Sequence, residues 1–171
     1  MNGVQWGDIG TWVGSIGTVL AVLFAWYVGH KQGIEAKKRQ QREQAERISS
    51  WVAAVKMPLP VKLSNQSGDP VYDVIVSVVL VQGAGPQDGK HTFMQQQYKV
   101  LPPGTFLVSF DNYPGGAMHT KPGTEIAFTD KAGLHWLKDK NGKLHSLKSK
   151  SPSEYYGLGQ PIGWLYLDDS K

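Results

Sequence analysis

A run of 21 residues without a charged side chain or a histidine, Ile9 to Gly29, constrains this chain more than any other feature. As a helix it would extend roughly 31 Å at about 1.5 Å per residue, close to the roughly 30 Å of bilayer hydrocarbon. Ile9, Val13, Ile16, Val19, Leu20, Val22, Leu23, Phe24 and Val28 together favour insertion by about 3 to 5 kcal/mol, partly offset by Gly and Thr. Apolar residues fall on every side of the helix, which argues against a half-exposed amphipathic helix. Trp6 and Trp12 stand near one end and Trp26 and Tyr27 near the other, where interfacial anchors belong. Met1 to Asp8 has no Lys or Arg, so the segment does not read as a cleaved signal peptide. The expectation is one transmembrane helix within residues 1–30, spanning about 9–29.

The flanks orient it. Lys31, Lys37, Lys38, Arg39, Arg42 and Arg47 follow the run, whereas Asp8 is the only charged side chain before it. Positive charge stays cytoplasmic. The prediction is a single-pass cell-membrane protein with its N-terminus outside and residues 31–171 in the cytoplasm. Gly17, Ala21, Ala25 and Gly29 recur every fourth residue, and Gly10, Gly14 and Thr18 form a second row. Small residues at that spacing let helices pack closely, so homo-oligomerisation through the span is expected.

The net charge of +4 is local. Residues 31–56 hold seven basic and three acidic side chains, including every Arg of the chain, while residues 57–171 are nearly neutral. A globular part without Arg is a poor nucleic-acid binder. The chain has no Cys, which removes disulfides, thiolate metal sites and Cys nucleophiles.

Residues 31–57 read as a basic helical stalk, supported by i,i+4 pairs Glu35–Arg39 and Glu43–Arg47. Lys31, Lys37, Lys38, Arg39 and Arg42 either contact anionic headgroups or only set topology. Ala45, Ile48, Val52 and Val55 make a short heptad seam, and Ile48, Trp51, Val52 and Val55 are placed to dock the stalk on the next domain.

From Leu59 the pattern has period two. In VYDVIVSVVLVQ the residues Tyr72, Val74, Val76, Val78 and Leu80 form one apolar face, opposite a mixed face with Asp73 and Ser77. TFLVSF and TEIAFTD alternate likewise. Turn sequences separate the strands, and TEIAFTDKAGLHWLKDKNGKLHSL reads as a closing meander with Trp136 in the core. Residues 58–150 are therefore expected to form an immunoglobulin-like antiparallel β-sandwich, making the chain mainly β with an N-terminal α segment. The aromatic, Pro- and Gly-containing tail, 151–171, either packs back on the sandwich or docks elsewhere.

The charge-free span, the basic stalk ending AERISSWV, and the elements NQSGDPVYDV, LPPGT and IAFTDKAGLHWL together resemble a family of uncharacterised single-span membrane proteins of actinobacteria and their phages. The resemblance covers nearly the whole chain. It implies a membrane anchor and a C-terminal β-sandwich, and no catalytic residues.

Enzyme signatures are missing: no G-x-S-x-G, P-loop or H-E-x-x-H occurs. GAGPQDG lacks dinucleotide-loop spacing. His135 and His145 could meet across the last hairpin with Asp130 or Asp139, but zinc needs three or four converging ligands. Asn65-Gln66-Ser67 reads as a turn. No cofactor or metal is expected. The function read from the sequence is a non-enzymatic, membrane-anchored interaction or scaffold module, acting on the lipid bilayer and a cytoplasmic or membrane protein. Tyr113, Met118, Tyr155, Tyr156, Trp164 and Tyr166 are the expected partner contacts. The alternative is a phage-encoded, membrane-acting factor for superinfection exclusion or lysis.

Overall fold

The structure is a computed structural model that describes residues 20, 22–28, 39, 42–92, 94–111, 113, 119–159 and 165–167. The chain divides into two units, Met1–Gln40 and Gln41–Lys171. In the first, residues 22–28 are helical. Among the described residues no helix is long and apolar enough to cross a membrane, and most of the run 9–29 lies outside them.

The second unit is mainly β, with eight strands in two antiparallel sheets: β1 Ile48–Val52, β2 Leu59–Asn65, β3 Val71–Gln82, β4 Gln95–Leu101, β5 Gly104–Phe110, β6 Lys121–Thr129, β7 His135–Lys138 and β8 Leu144–Lys148. One sheet has the order β1-β2-β5 and the other β4-β3-β6-β7-β8. A short helix, α1 Pro152–Tyr156, follows β8. The two sheets enclose one core. Ile48, Leu59, Val61 and Leu63 come from the first, and Val74, Val76, Val78, Ile126 and Phe128 from the second.

The helical stalk expected through residue 57 ends at 46, and Ile48–Val52 is a strand. Ile, Trp and Val favour a pleated, half-buried surface, and β1 pairs with β2 from Ile48↔Asn65 to Val52↔Val61. Ala45 and Ile48 are fully buried, whereas Trp51 and Val55 are exposed. The heptad seam is therefore broken between a helical turn and a strand.

β3 spans the sequence segment that alternates, but its faces are divided differently. Val71, Val74, Val76 and Val78 all belong to the inter-sheet core, and Tyr72 is exposed. Going from 71 to 74 inverts the parity of a strand, which needs one extra residue. Asp73 supplies it at φ 49°, where the β3–β6 register shifts between Tyr72 and Ile75. The opposite face of β3 is also covered. Ile75, Ala127, Leu137, Leu147 and Tyr156 form a second cluster beneath α1. That helix has a reciprocal capping box, in which Ser151 Oγ accepts from Glu154 N and Glu154 Oε2 accepts from Ser151 N. Gly157 ends it at φ 66°.

The closing meander β6-β7-β8 is present. Its two turns are built alike. Asp130 N donates to Leu134 O and Asp139 N to Lys143 O, while Gly133 N and Gly142 N donate back to Asp130 O and Asp139 O. Gly133 and Gly142 have φ 78° and 77°, values that favour glycine. Asn65, expected in a turn, is instead the last residue of β2, and its side chain closes the turn that follows: Oδ1 accepts from Ser67 N, and Nδ2 donates to the carbonyls of Asp69 and Leu101.

Candidate functional site

The helical turn at 42–46 joins the sandwich through Ala45 and the Glu46 carbonyl, and β1, which follows it, adds contacts at Ile48 and Ser50. Ala45 is buried in the core. Lys138 Nζ, on β7, donates to Glu46 O at 2.7 Å and Ile48 O at 2.8 Å. The Glu46 carbonyl lies at the end of the helical turn, where a cation completes an unpaired acceptor and suits the helix dipole, and Ile48 O belongs to β1. Burial pulls the Lys138 ammonium below its ordinary pKa, and the nearby Glu46 opposes that shift. Finally, Ser50 Oγ on β1 donates to Thr124 Oγ1 on β6 at 2.8 Å, joining the two sheets.

Beside this junction lies a cleft of about 510 Å³ between β1 and the neighbouring strands β6 and β7. Trp51 and Ser49 line one wall and Pro122, Gly123, Lys138 and Lys140 the other. Its size falls in the roughly 300–1,000 Å³ range of ligand pockets. Lys140 Nζ donates to Leu80 O and Gln87 Oε1. Asp139, also in the lining, has its carboxylate engaged by Asn141 N, Lys143 N and His145 Nε2.

A second polar cluster lies under α1. Glu125 is buried, and its Oε2 accepts from Gly89 N at 2.8 Å, pinning the single 3-10 turn Gly89–His91 against β6. Burial raises the Glu125 pKa above its usual value. Asp88 and Asp139 add to the rise, while the Gly89 N–H and Lys140 oppose it. A Cβ on Gly89 would approach Tyr156 Cε1 to 2.5 Å and Ser77 Oγ to 2.8 Å, so the turn tolerates only glycine there.

The expected contact residues separate sharply. Tyr113 is 4% exposed and sits in the inter-sheet core, and Tyr156 is 8% exposed beneath α1. Both are structural residues rather than surface contacts. Tyr155 is half-buried, edge-on to Tyr156 with ring centroids 5.1 Å apart, and Lys90 Nζ lies 4.1 Å from its ring centroid. Tyr166 is 88% exposed. Met118 and Trp164 lie outside the described residues, as do Gly10, Gly14, Gly17, Ala21, Gly29, Lys31, Lys37 and Lys38. Ala25, Arg39 and Arg42 are exposed, and Arg42 pairs with Glu46 at 2.9 Å.

His135 and His145 bond different partners, Thr129 Oγ1 and Asp139 Oδ2. Asp130 accepts from Ala132 N, Leu134 N and Trp136 Nε1. Among the described residues no three His, Cys, Asp or Glu side chains converge as metal ligands would. Two features of the site went beyond the sequence reading: the Lys138 clasp and the α1 cover. Only the second had a local signal, the Ser151-x-x-Glu154 capping box. Comparison with known families, curated proteins and solved structures gave no match.

Proposed function

We propose that the chain is a membrane-anchored interaction or scaffold module without enzymatic activity, whose helix spans the bilayer over about 9–29 and whose sandwich stands in the cytoplasm. One observation carries the anchoring. Leu20, Val22, Leu23, Phe24, Trp26 and Tyr27 are each 56–70% exposed. Residues 22–28 are helical and cover nearly two turns, so apolar side chains face outward in every direction. A core helix of a globular domain would bury at least one of those faces, and a bilayer is the solvent that suits them all.

The basic residues from Lys31 to Arg42 support the orientation, and the small-residue rows support self-association of the span. For the sandwich, the neighbours β2–β5 and β3–β6 match the pairs that an immunoglobulin-like Greek key brings together across its two sheets. Here the fourth strand lies beside the third, and an eighth strand extends the sheet. The Lys138 clasp fixes the last stalk turn to this sandwich, as a presentation scaffold requires.

Alkaline extraction of membranes containing the full chain tests the anchor. The wild-type chain should stay in the pellet, and the double variant Val22→Lys, Leu23→Lys should move to the supernatant. A wild-type chain released by alkali would rule the anchor out.

A further inference from the structure

β1 is an edge strand, paired with β2 on one side. Hydrogen bonds at the two ends of that ladder fix which backbone groups it uses: Gln66 N donates to Arg47 O, and Ala53 N donates to Pro60 O. Bonded and non-bonded pairs alternate along an antiparallel ladder, so Ser49↔Ser64 and Trp51↔Lys62 are the bonded pairs between those ends. Ile48, Ser50 and Val52 therefore turn their N–H and C=O groups away from β2. Lys138 Nζ meets Ile48 O from that side, in agreement. Ser50 and Val52 each present an N–H and a C=O toward the cleft, which both residues line. Among the described residues no strand pairs with that side of β1.

The two walls of the cleft differ in character. Trp51, 43% exposed, stands on the β1 wall, and Lys138 and Lys140 stand on the other. An ammonium has three N–H donors. Lys138 gives two of them to Glu46 O and Ile48 O, and Lys140 gives two to Leu80 O and Gln87 Oε1, which leaves each one for a ligand. The neighbouring carboxylates are engaged elsewhere. Asp139 closes its own turn, and Glu46 pairs with Arg42.

We infer that this cleft takes an extended segment of a partner protein in which acidic residues alternate with apolar ones, added to β1 as a further strand. Strand addition uses an open edge for main-chain hydrogen bonds and pockets for alternate side chains. A strand between these walls would turn its apolar face to Trp51 and its carboxylates to Lys138 and Lys140, as a period of two allows. A simple anion has only acceptors and would leave the Ser50 and Val52 carbonyls unanswered. Pairing with β1 of a second copy would set the lysines of one copy against those of the other, which like charges oppose. The proposal rests on the interaction-module reading and names the chemistry of its partner.

The full-length protein in detergent micelles would be titrated with a short fluorescein-labelled peptide of alternating valine and glutamate, read by anisotropy. Successive residues of a strand turn their N–H groups to opposite sides. N-methylation of all the valines, or of all the glutamates, therefore blocks one side at a time. One of these two peptides should bind at least about tenfold more weakly than the parent and the other about as well. Equal effects of both modifications would overturn strand addition. A peptide with lysine in place of glutamate should bind less well, and Lys140→Glu should weaken the glutamate peptide by about fivefold. Indifference to both changes would overturn the charge assignment. Should Lys140→Glu fail to fold, read by circular dichroism, the N-methylated pair on the wild-type protein still decides. Displacement by inorganic phosphate without any effect of N-methylation would reassign the cleft to a simple anion. Peptide affinity that falls as protein concentration rises would assign the edge to a second copy. Either result, or binding of no peptide, overturns the proposal. The membrane anchor is tested separately by alkaline extraction, so its success or failure stays distinct.

Discussion

Asp130 and Asp139 perform the same turn-closing task, but their surroundings differ. Asp130 is 2% exposed and also accepts the Trp136 indole N–H at 2.8 Å, whereas Asp139 sits in a more open turn and meets His145. Removing an acceptor that leaves buried donors unpaired costs about 1–3 kcal/mol. Asp130→Ala should therefore destabilise the sandwich by about 2–3 kcal/mol and Asp139→Ala by about 1 kcal/mol or less, read from urea midpoints. Equal losses would mean that the indole bond contributes nothing. Glu125 gives a pH signature. Its carboxyl is held above its usual pKa by burial, so the native state keeps that proton to higher pH than the unfolded chain. Below the ordinary glutamate pKa both states are protonated and the group is neutral to stability. As pH rises from there through the native pKa, the unfolded chain loses its proton first, and stability falls. Glu125→Gln should flatten that fall as pH rises from the ordinary glutamate pKa, and an equally steep profile in the variant would contradict the assignment. At this scale the sequence was least informative. A tyrosine in a loop or tail reads the same whether it points in or out, and the burial of Tyr113 and Tyr156 follows from neighbours distant in the chain.

Elements were legible where one period governed both backbone and burial. β3 and the meander β6–β8 follow from alternation and from the Asp-x-x-Gly turns. The Asp73 bulge was hidden, because an apolar residue on either side of it keeps the pattern plausible. β1 was masked by the helix-favouring run before it, and its two serines interrupt the apolar pattern of Ile48, Trp51 and Val52. α1 is only five residues long, too short for periodicity, and its packing rather than its propensity holds it. Tyr156→Ala should accordingly cost about 3 kcal/mol, as large aromatic truncations in cores do. If thermal or urea unfolding moved by less than about 1 kcal/mol, α1 would be an ornament on β3 rather than its cover.

For the molecule as a whole, the compact unit begins at Gln41 and not at the proline-marked boundary near residue 58. A fragment of residues 41–171 keeps Ala45, Ile48 and the Lys138 clasp; one of residues 58–171 loses all of them together with β1. The first should unfold cooperatively in urea, and the second should show a shallow or absent transition. Equal cooperativity would mean that β1 is dispensable. The charge-free run stands out in the sequence by length and hydropathy, and most of it lies outside the described residues. What that run does decides where the sandwich works. The most direct measurement uses the absence of native Cys: single cysteines at Asn2 and Ser170, and a membrane-impermeant maleimide on intact cells. A single span with the sandwich inside predicts labelling at position 2 and protection at position 170 until the cells are opened. Labelling at 170 in intact cells would contradict it.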